Sequence, residues 1–466
     1  MHKEIIATID IGSSKIIAAA GEKDEKGAIH ILALETEATK TSVRRGRIYN
    51  VGEVSRKITS LLNRLNYQLN EEIVKIYVGV GGQSLMTETL SVEEKTEGTI
   101  IDEQLLQYLR KKCDHYHSDL LEVLDIVSPE YFVDGKSEKK PIGVSCKKIE
   151  AQFKLILGNP AIKRNINMCI SNNDIEIAGY FIAPIATANA TLTNLEKNLG
   201  CALIEFGAGV TYLSVYKNNL LKYLVTIPIG ANVITKDIAQ LNIVDEEAED
   251  LKITYGYALV DSKKEADYPK KITTNDDKEI DTGNLNDIIE ARVDEIIANI
   301  KAQLETSGFS DALGSGIVIT GGGAALKNLS ESIEEKTKQK VRIATVKEEL
   351  IDKDFSEYAK IPGIEETVGL LSLGTEDCIK PKVVEIPVIQ PPVVENFNNS
   401  LFPEGEIEVV EKNPKGGKRK LPETSKPEGG GLISIITQKL TRKVEKVSRG
   451  LFDGIDSTSD DENDEK

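Results

Sequence analysis

The alternation of apolar and polar residues near the amino terminus predicts two strands around a turn. Residues 4–20 read EIIATIDIGSSKIIAAA, with β-branched and small apolar residues on both sides of a Gly-Ser-Ser breaker. Residues 201–216, CALIEFGAGVTYLSVY, repeat strand, glycine-rich turn and strand, and Glu205 stands where the first copy has Asp10, 205 − 10 = 195 residues earlier. This separation indicates a duplicated lobe and not a short-period repeat array.

Helical and strand-like patterns follow each other through the rest of the first 380 residues. Apolar residues at intervals of three and four predict amphipathic helices over 55–68 and 288–308. Continuous apolar runs predict buried strands that end at the glycines of 81–82 and 321–323. Over 181–195 a strand end leads into a helix of small residues, which permit close packing against a neighbour.

Two stretches differ from these patterns. Residues 84–162 read as an α+β insertion with strands of its own and a helix over 102–113. Residues 381–430 hold 8 of the 15 prolines and show little periodicity, which predicts an extended, disordered linker.

Composition and charge limit the class of protein. The chain has 466 residues, of which 40% are apolar, so two or more compact lobes are expected. A formal charge of −17 repels a phosphate backbone and argues against nucleic-acid binding. The five cysteines form no CxxC pair, which favours buried thiols in a reducing compartment. Because no apolar run reaches about 18 residues, we expect a cytoplasmic protein without a transmembrane span.

Three glycine turns carry the candidate chemistry. Such a turn presents backbone N–H groups with little side-chain cover, which suits a phosphate. Asp10 could hold Mg²⁺ through water, since this ion keeps several waters and shares substrate phosphates with few carboxylates. The second turn would clamp the β- and γ-phosphates from the other lobe, and the third would support base and ribose at a helix amino terminus. The candidate nucleotide-binding residues are Asp10, Gly12, Ser13, Ser14 and Lys15 in the first turn, Glu205, Gly207, Ala208, Gly209, Val210 and Thr211 in the second, and Gly321, Gly322 and Gly323 in the third.

The order and spacing of these turns resemble those of the actin, hexokinase and Hsp70 superfamily. Within it the chain is most similar to FtsA, a family of actin-like cell-division proteins, because VSPEYFVDG and PIGVSCKKIEAQFKLI in the insertion match that family's own subdomain. The resemblance covers residues 1–380 and implies a two-lobed, ATP-binding α/β fold of the actin and Hsp70 type, with connecting helices over 182–195 and 365–374. It also places Glu249 and Lys252 at the ribose and base, where an i, i+3 surface ion pair is the alternative.

The same resemblance implies a division of the chain into subdomains, a tether and an anchor. These are subdomain 1A (1–83, 163–193 and 351–380), the inserted subdomain 1C (84–162), subdomain 2A (194–238 and 304–350), subdomain 2B (239–303), the disordered linker (381–430), a membrane-targeting amphipathic helix (431–452) and an acidic tail (453–466).

The second glycine turn departs from the family pattern at two positions. The motif usually begins with Asp and continues Gly-Gly-Gly-Thr, whereas this chain has Glu205 and Val210. Asp10 and Glu205 are the candidate catalytic residues, which would position Mg²⁺ and water, and a carboxylate misplaced by about an ångström loses much of the rate. We therefore predict that ATP is bound with Mg²⁺ and hydrolysed slowly or not at all.

The segment 432–452, LISIITQKLTRKVEKVSRGLF, combines an apolar stripe at helical spacing with a local charge of 5 − 1 = +4. A transmembrane span is excluded because Arg442 and Lys443 would cost about 5 to 7 kcal/mol, against roughly 0.3 to 0.6 kcal/mol gained per apolar residue. A basic amphipathic helix on a long tether fits an acidic membrane surface, and packing on the protein's own body is the alternative. The tail 453–466 carries 1 − 7 = −6 and opposes membrane binding. The residues expected at the membrane are Ile433, Ile436, Lys439, Leu440, Lys443, Val444, Val447, Leu451 and Phe452.

The family resemblance implies partners and a location as well. We expect actin-like filaments of the chain itself, binding of the carboxy-terminal peptide of the tubulin-like FtsZ by residues 239–303, and contacts with other divisome proteins. The expected location is the cytoplasmic side of the inner membrane at the division site. Two alternatives stay open on the sequence, a small-molecule kinase of the same superfamily and a pilus-assembly ATPase relative that shares the insertion.

Overall fold

The computed structural model of the protein describes residues 4–260 and 270–381. Two compact units are distinguished, and the first, Met1–Pro381, contains every element named below. The predicted linker beyond residue 381, the amphipathic helix 431–452 and the acidic tail 453–466 lie outside the described residues, so these interpretations stay predictions.

A five-stranded sheet forms from the amino-terminal part of the chain. Its members are β1 (Ile5–Ile11), β2 (Lys15–Lys23), β3 (Ile29–Ala38), β6 (Lys75–Val80) and β11 (Glu176–Ile182), in the order β11-β6-β1-β2-β3. β1 and β2 are antiparallel around the first glycine turn, whereas β6 runs parallel to β1. The apolar residues of β1 are buried on both faces of the sheet, which explains the continuous apolar run in the sequence.

A second sheet repeats this arrangement in the other lobe. Its corresponding strands are β12 (Cys201–Phe206), β13 (Thr211–Lys217), β14 (Leu220–Ile227), β17 (Ile317–Thr320) and β18 (Val341–Ile343), in the order β18-β17-β12-β13-β14. The pairing register is also repeated, since Asp10 faces Ile17 in the first lobe and Glu205 faces Tyr212, 195 positions later, in the second. The duplicated strand-turn-strand unit predicted from the sequence is therefore confirmed.

The residues that follow Gly81-Gly82 extend the second sheet. Their elements are β7 (Met86–Lys95), α2 (Glu103–Lys111), β8 (Glu122–Val133), β9 (Lys136–Glu138) and β10 (Lys148–Gly158), and the strands continue the sheet in the order β14-β7-β10-β8-β9. Val225 of β14 pairs with Met86 of β7 at the junction. The Lys222 ammonium lies 2.5 Å from the Glu130 carboxylate, and this ion pair links β14 to β8. These elements also enclose a hydrophobic cluster of their own around Phe153.

Each of the other helices except the short Asn194–Leu199 buries apolar residues against a sheet or another helix. Asn50 caps the helix that follows it by accepting a hydrogen bond from the Glu53 N–H, and Val54, Ile58 and Leu65 lie on its buried face. The helices are α1 (Val51–Leu69), α3 (Ala161–Ser171), α4 (Ala183–Thr191), α5 (Asn194–Leu199), α6 (Asn232–Ala239), α7 (Asp245–Tyr255), α8 (Thr282–Ser307), α9 (Leu329–Thr337) and α10 (Ile364–Leu373). Two short hairpins pair β4 (Val43–Arg44) with β5 (Arg47–Ile48), and β15 (Lys271–Thr273) with β16 (Glu279–Asp281).

The structure differs from the sequence prediction at two helix boundaries. The helix predicted over 182–195 is divided into α4 and α5, because Thr193 and Glu196 form a capping box that starts a new helix. The glycines of 321–323 open only a single 3₁₀ turn, Gly322–Ala325, and the α-helix begins later, at Leu329. The prediction of buried thiols is confirmed, since all five cysteines are free and buried.

Candidate functional site

The first two glycine turns have the same backbone geometry. The Gly12 N–H donates to the Lys15 carbonyl at 3.0 Å, and the Gly207 N–H donates to the Val210 carbonyl at 2.9 Å. A Cβ on Gly12 would lie 2.9 Å from the Lys15 oxygen, and one on Gly207 would lie 2.8 Å from the Val210 oxygen. Only glycine permits this close return of the backbone, so both turns are bare at the same position.

The two turns face each other across the lobes. A Cβ on Gly209 would lie 2.4 Å from Ser13 Oγ and 2.8 Å from Ser13 Cβ. Residues 196 positions apart in the sequence (209 − 13) are therefore in contact, as the prediction of opposed phosphate turns requires. The Lys15 side chain in the first turn is half-buried, and burial lowers the pKa of its ammonium against the opposing effect of Asp10 and Glu365.

The third glycine turn packs directly on the second. Gly321 has φ +87°, and a Cβ on it would lie 2.5 Å from the Phe206 carbonyl oxygen. A Cβ on Gly323 would lie 3.0 Å from Phe206 Cβ and 3.3 Å from Ala231 Cβ, next to the start of α6. All three predicted turns thus converge on one region at the ends of β1, β12 and β17.

Glu249 and Lys252 of α7 lie beside the second turn and form an ion pair with Nζ 2.6 Å from Oε2. The pair is not a surface pair, because the Lys252 side chain is only 8% exposed and its ammonium also donates to Thr235 Oγ1 at 2.9 Å. Lys252 Nζ further donates to the Ala231 carbonyl, and the Ala231 N–H donates to the Gly207 carbonyl. This chain of hydrogen bonds connects α7 to the second glycine turn.

Two residues of the second turn use their side chains for packing. The Val210 side chain is buried in the hydrophobic core, and the fully buried Thr211 hydroxyl donates to the Ile229 carbonyl at 2.8 Å. These side chains point into the protein, so the predicted contribution of both residues to a ligand is limited to their backbone. The sequence prediction counted the missing hydroxyl of Val210 as a reason for slow hydrolysis, and this part is wrong because the side chain at position 210 is buried in the core.

Three buried carboxyl groups from different parts of the chain meet beneath the turns. Burial raises the pKa of Asp10 to about 6, against the opposing effects of Glu366 and Lys15. Burial raises the pKa of Glu205 to about 7, and the Thr187 hydroxyl opposes this shift. Burial and the neighbouring Asp10 and Glu205 raise the pKa of Glu366 well above its usual range. Carboxyl groups this close cannot all be ionised unless a cation compensates them.

Glu366 is the functional candidate that the sequence did not single out. It was predicted only as part of the second connecting helix, yet α10 carries it to the carboxyls of both lobes, and it is only 8% exposed. Room for it exists because residue 79 is glycine, since a Cβ there would lie 3.0 Å from Glu366 Oε1. The available sequence signal was a pair of acidic residues, Glu365 and Glu366, in the mostly apolar helix Ile364–Leu373.

The carboxyl cluster fits a hydrated Mg²⁺ ion by its chemistry. Glu205 Oε2 and Glu366 Oε1 are buried and have no hydrogen-bond partner among the residues that the structure covers. A buried carboxylate oxygen without a partner is unfavourable, because it has lost its hydration without replacement. Mg²⁺ prefers oxygen ligands and keeps several waters, so it would provide positive charge and hydrogen-bond donors together.

The two predicted connecting helices cross directly below this cluster. A Cβ on Gly369 of α10 would lie 2.1 Å from the Ala186 carbonyl oxygen of α4. The small residues predicted over 181–195 therefore do permit close packing, and the backbones of the two helices touch.

The predicted membrane residues from Ile433 to Phe452 lie outside the described ranges. None of the helices within those ranges has the length and apolar content that a membrane crossing requires.

Comparison with known proteins gives matches in sequence and in fold. A family model described as cell division protein FtsA matches residues 202–363. The cell division protein FtsA of Porphyromonas gingivalis is 32% identical over 385 residues, which cover 80% of this chain and 79% of that protein. The FtsA of Bacillus subtilis is 29% identical over 356 residues, covering 74% of this chain and 79% of that protein. A solved PilM-PilN type IV pilus biogenesis complex is similar in fold alone, with a TM-score of 0.57 and 13% identity over 80% of this chain and 99% of that chain.

Proposed function

Because the chain belongs to the FtsA family of cell division proteins, we propose that it is an ATP-binding, filament-forming adaptor that attaches FtsZ to the membrane. The observation that carries the nucleotide part is the convergence of three bare glycine turns on one carboxyl cluster. Two of these turns come from lobes of equal topology and touch each other through Ser13 and Gly209. Opposed backbone N–H groups at glycine turns are suited to a polyphosphate.

Residues of both lobes would contact the nucleotide and its Mg²⁺ ion. Backbone N–H groups of both turns and the Lys15 ammonium would hold the phosphates, while Asp10, Glu205 and Glu366 would hold Mg²⁺ through its waters. Bound Mg²⁺ would neutralise phosphate charge next to these carboxyls. Glu249 and Lys252 would contact the ribose and base, and the Lys252 ammonium already donates to Thr235 Oγ1 at 2.9 Å.

ATP hydrolysis is proposed to be slow or absent. Glu205 is one methylene longer than the usual Asp, so its carboxylate occupies a different position, and burial raises its pKa to about 7 when no cation is bound. Glu366 adds a further carboxyl beside it and repels a second negative charge. In this proposal ATP is mainly a ligand that fixes the relative position of the lobes for assembly.

The nucleotide proposal is tested by equilibrium binding of a fluorescent ATP analogue to the full chain, with Mg²⁺ and with EDTA. We expect binding that EDTA weakens and that Gly209→Val abolishes, because a larger side chain would displace Ser13 from the second turn. Gly52→Val is the matched control, since Gly52 is exposed and a Cβ there would meet only Asn50 Oδ1, at 3.8 Å. Absence of ATP binding by the folded wild-type chain would reject the proposal.

The partner proposal rests on the family and on the surface of residues 239–303. Val244 is 62% exposed and Ile253 is 64% exposed, and both belong to the segment around α7. Each of them is a candidate contact for an apolar side chain of a bound peptide. The test is a pull-down with the carboxy-terminal peptide of FtsZ, with and without ATP. Retention of the peptide by a Val244→Asp, Ile253→Asp double variant at wild-type level would contradict this docking position.

The membrane proposal rests on the sequence of 432–452 alone. One amphipathic helix with a charge of +4 gives weak attachment, and a filament that presents many such helices binds firmly. Filament formation is tested by sedimentation and electron microscopy on a lipid monolayer with ATP. Monomeric behaviour under these conditions would remove the assembly part of the proposal.

A further inference from the structure

The hairpin of β4 and β5 places an arginine at the junction of the two phosphate turns. Arg45 and Gly46 form its tip with φ of 51° and 69°, which are the two positive values that a type I′ turn requires. The tip therefore has a defined shape, and Arg45 occupies the first of its two central positions.

Both phosphate turns hold this tip in place. The Gly46 N–H donates to Ser13 Oγ at 2.7 Å in the first turn. A Cβ on Gly209, in the second turn, would lie 3.0 Å from Arg45 Cα. The hairpin is also fixed at its base, because the Thr39 N–H donates to the Ser14 carbonyl at 2.9 Å.

A third support comes from the start of the chain segment that extends the second sheet. A Cβ on Gly46 would lie 2.8 Å from Gly82 Cα, and the Gly82 N–H donates to the Tyr212 hydroxyl at 2.7 Å. The hairpin tip is thus enclosed on three sides by the first turn, the second turn and Gly82. A backbone held in this way loses little conformational freedom of its own when the side chain binds a ligand.

The Arg45 side chain itself has no partner in the described part of the chain. It is exposed, and no hydrogen bond or ion pair of its guanidinium exists among those residues. Its neighbour Arg44 is different, because the Arg44 guanidinium stacks over the Tyr49 ring at 4.2 Å from the centroid. Arg45 therefore combines a fixed backbone with an exposed guanidinium that has no partner among the described residues.

A second cation would balance the negative charge of the site. Within residues 4–260 and 270–381, the ammonium found beside Asp10, Glu205 and Glu366 is that of Lys15, and a bound triphosphate would add further negative charge. Arginine binds phosphate oxygens through two parallel N–H donors, which makes it suited to a terminal phosphate.

We propose that Arg45 contacts the terminal phosphate of a bound nucleoside triphosphate and makes the site prefer a triphosphate over a diphosphate. The inference rests on the proposed nucleotide binding and adds a residue to it. Arg45 is a specificity residue here, because loss of the terminal phosphate removes its ligand while the other contacts of the site remain.

The experiment compares the affinities of the full chain for ATP and ADP, both with Mg²⁺, by titration with fluorescent analogues. For Arg45→Gln we expect ATP affinity to fall on the order of tenfold and ADP affinity to stay within about twofold, as for loss of one charge-assisted contact. Arg45→Lys should retain part of the preference for ATP, since it keeps the charge but not the two-donor geometry.

Arg47→Gln is the matched control, because Arg47 is also exposed on the same hairpin and lies outside the tip. It should leave both affinities unchanged. If Arg45→Gln keeps the wild-type ratio of ATP to ADP affinity, or weakens both nucleotides equally, the inference is overturned while the proposed nucleotide binding stands. If the wild-type chain binds neither nucleotide, the proposed function fails and this inference fails with it. Equal thermal unfolding of the variants excludes a folding defect.

Discussion

At the scale of single residues, the carboxyl cluster beneath the glycine turns lowers stability as the pH rises. The usual pKa of a glutamate is about 4.3, whereas that of Glu205 is raised to about 7 and that of Glu366 is raised well above its usual range. Between a pH of about 4.3 and a pH of about 7, the folded state therefore binds more protons than the unfolded state. The contribution of these protonated carboxyls to stability is fully present below their pKa in the unfolded state. It is lost as the pH rises through their pKa in the folded state.

Glu366→Gln should consequently stabilise the chain at alkaline pH in the absence of nucleotide. We expect a rise in Tm of about 2 °C or more at about pH 8 and a smaller change at about pH 5. Thermal unfolding at both pH values measures it, with Glu331→Gln as a control, since Glu331 is exposed on α9. A destabilised Glu366→Gln variant at pH about 8 would show that the ionised carboxylate has a favourable partner.

The length of the residue 205 side chain should control ATP hydrolysis, whereas residue 210 should not. Glu205→Asp restores the carboxylate position of the family motif, and we expect phosphate release to rise on the order of tenfold. Val210→Thr should leave the rate unchanged, because the Val210 side chain is buried in the core. Phosphate release is measured with Mg²⁺ and ATP, and Asp10→Ala gives the background. The opposite ranking of the two variants would contradict the position of the side chains in the second turn.

At the scale of elements, the crossing of α4 and α10 joins the lobes through backbone contact. Gly369 and Ala186 bring the two helices so close that no side chain fits between them. Glu366 lies one turn before Gly369 on α10, so the helix that forms the crossing also reaches the carboxyls of both lobes.

Gly369→Ala should destabilise the protein, although alanine favours helices in general. The new Cβ would lie 2.1 Å from a backbone oxygen, so the helices must separate, at a cost of about 1 to 3 kcal/mol. Gly52→Ala in α1 is the matched control, because its Cβ would meet only Asn50 Oδ1 at 3.8 Å, and it should stabilise by about 0.5 to 1 kcal/mol. Urea unfolding of both variants gives the two values. Equal midpoints would show that the crossing adapts without strain.

At the scale of the whole molecule, charge is distributed unevenly along an acidic chain. The total is −17, yet residues 432–452 carry +4 and the following 453–466 carry −6. An anionic lipid surface attracts the first of these segments and repels the second. The repulsion acts within a Debye length of about 8 Å at physiological ionic strength.

Removal of residues 453–466 should therefore strengthen membrane binding severalfold, and removal of 432–452 should abolish it. Co-sedimentation with vesicles that contain phosphatidylglycerol measures both deletions, and phosphatidylcholine vesicles provide the uncharged control. Binding should weaken as salt is added, since screening reduces attraction between exposed charges. If the chain without 432–452 sediments like the full chain, the anchor lies elsewhere.

The sequence by itself determined the local elements of this protein and the duplication of its lobes. Periodicity located α1, α8 and the strands of both glycine turns, because apolar spacing records which face of an element is buried. The register match between Asp10 and Glu205 could also be predicted, since each strand-turn-strand unit is closed by hydrogen bonds between near neighbours.

Only the tertiary structure decided that Glu366 and Arg45 lie at the site formed by the three predicted glycine turns. Glu366 lies 366 − 10 = 356 positions from Asp10, and no local pattern reports their contact. The burial of Lys252 and the position of Arg45 between Ser13 and Gly209 likewise depend on the packing of separate elements. The physical reason is that desolvation and contact at this site come from chain segments brought together only by the complete fold.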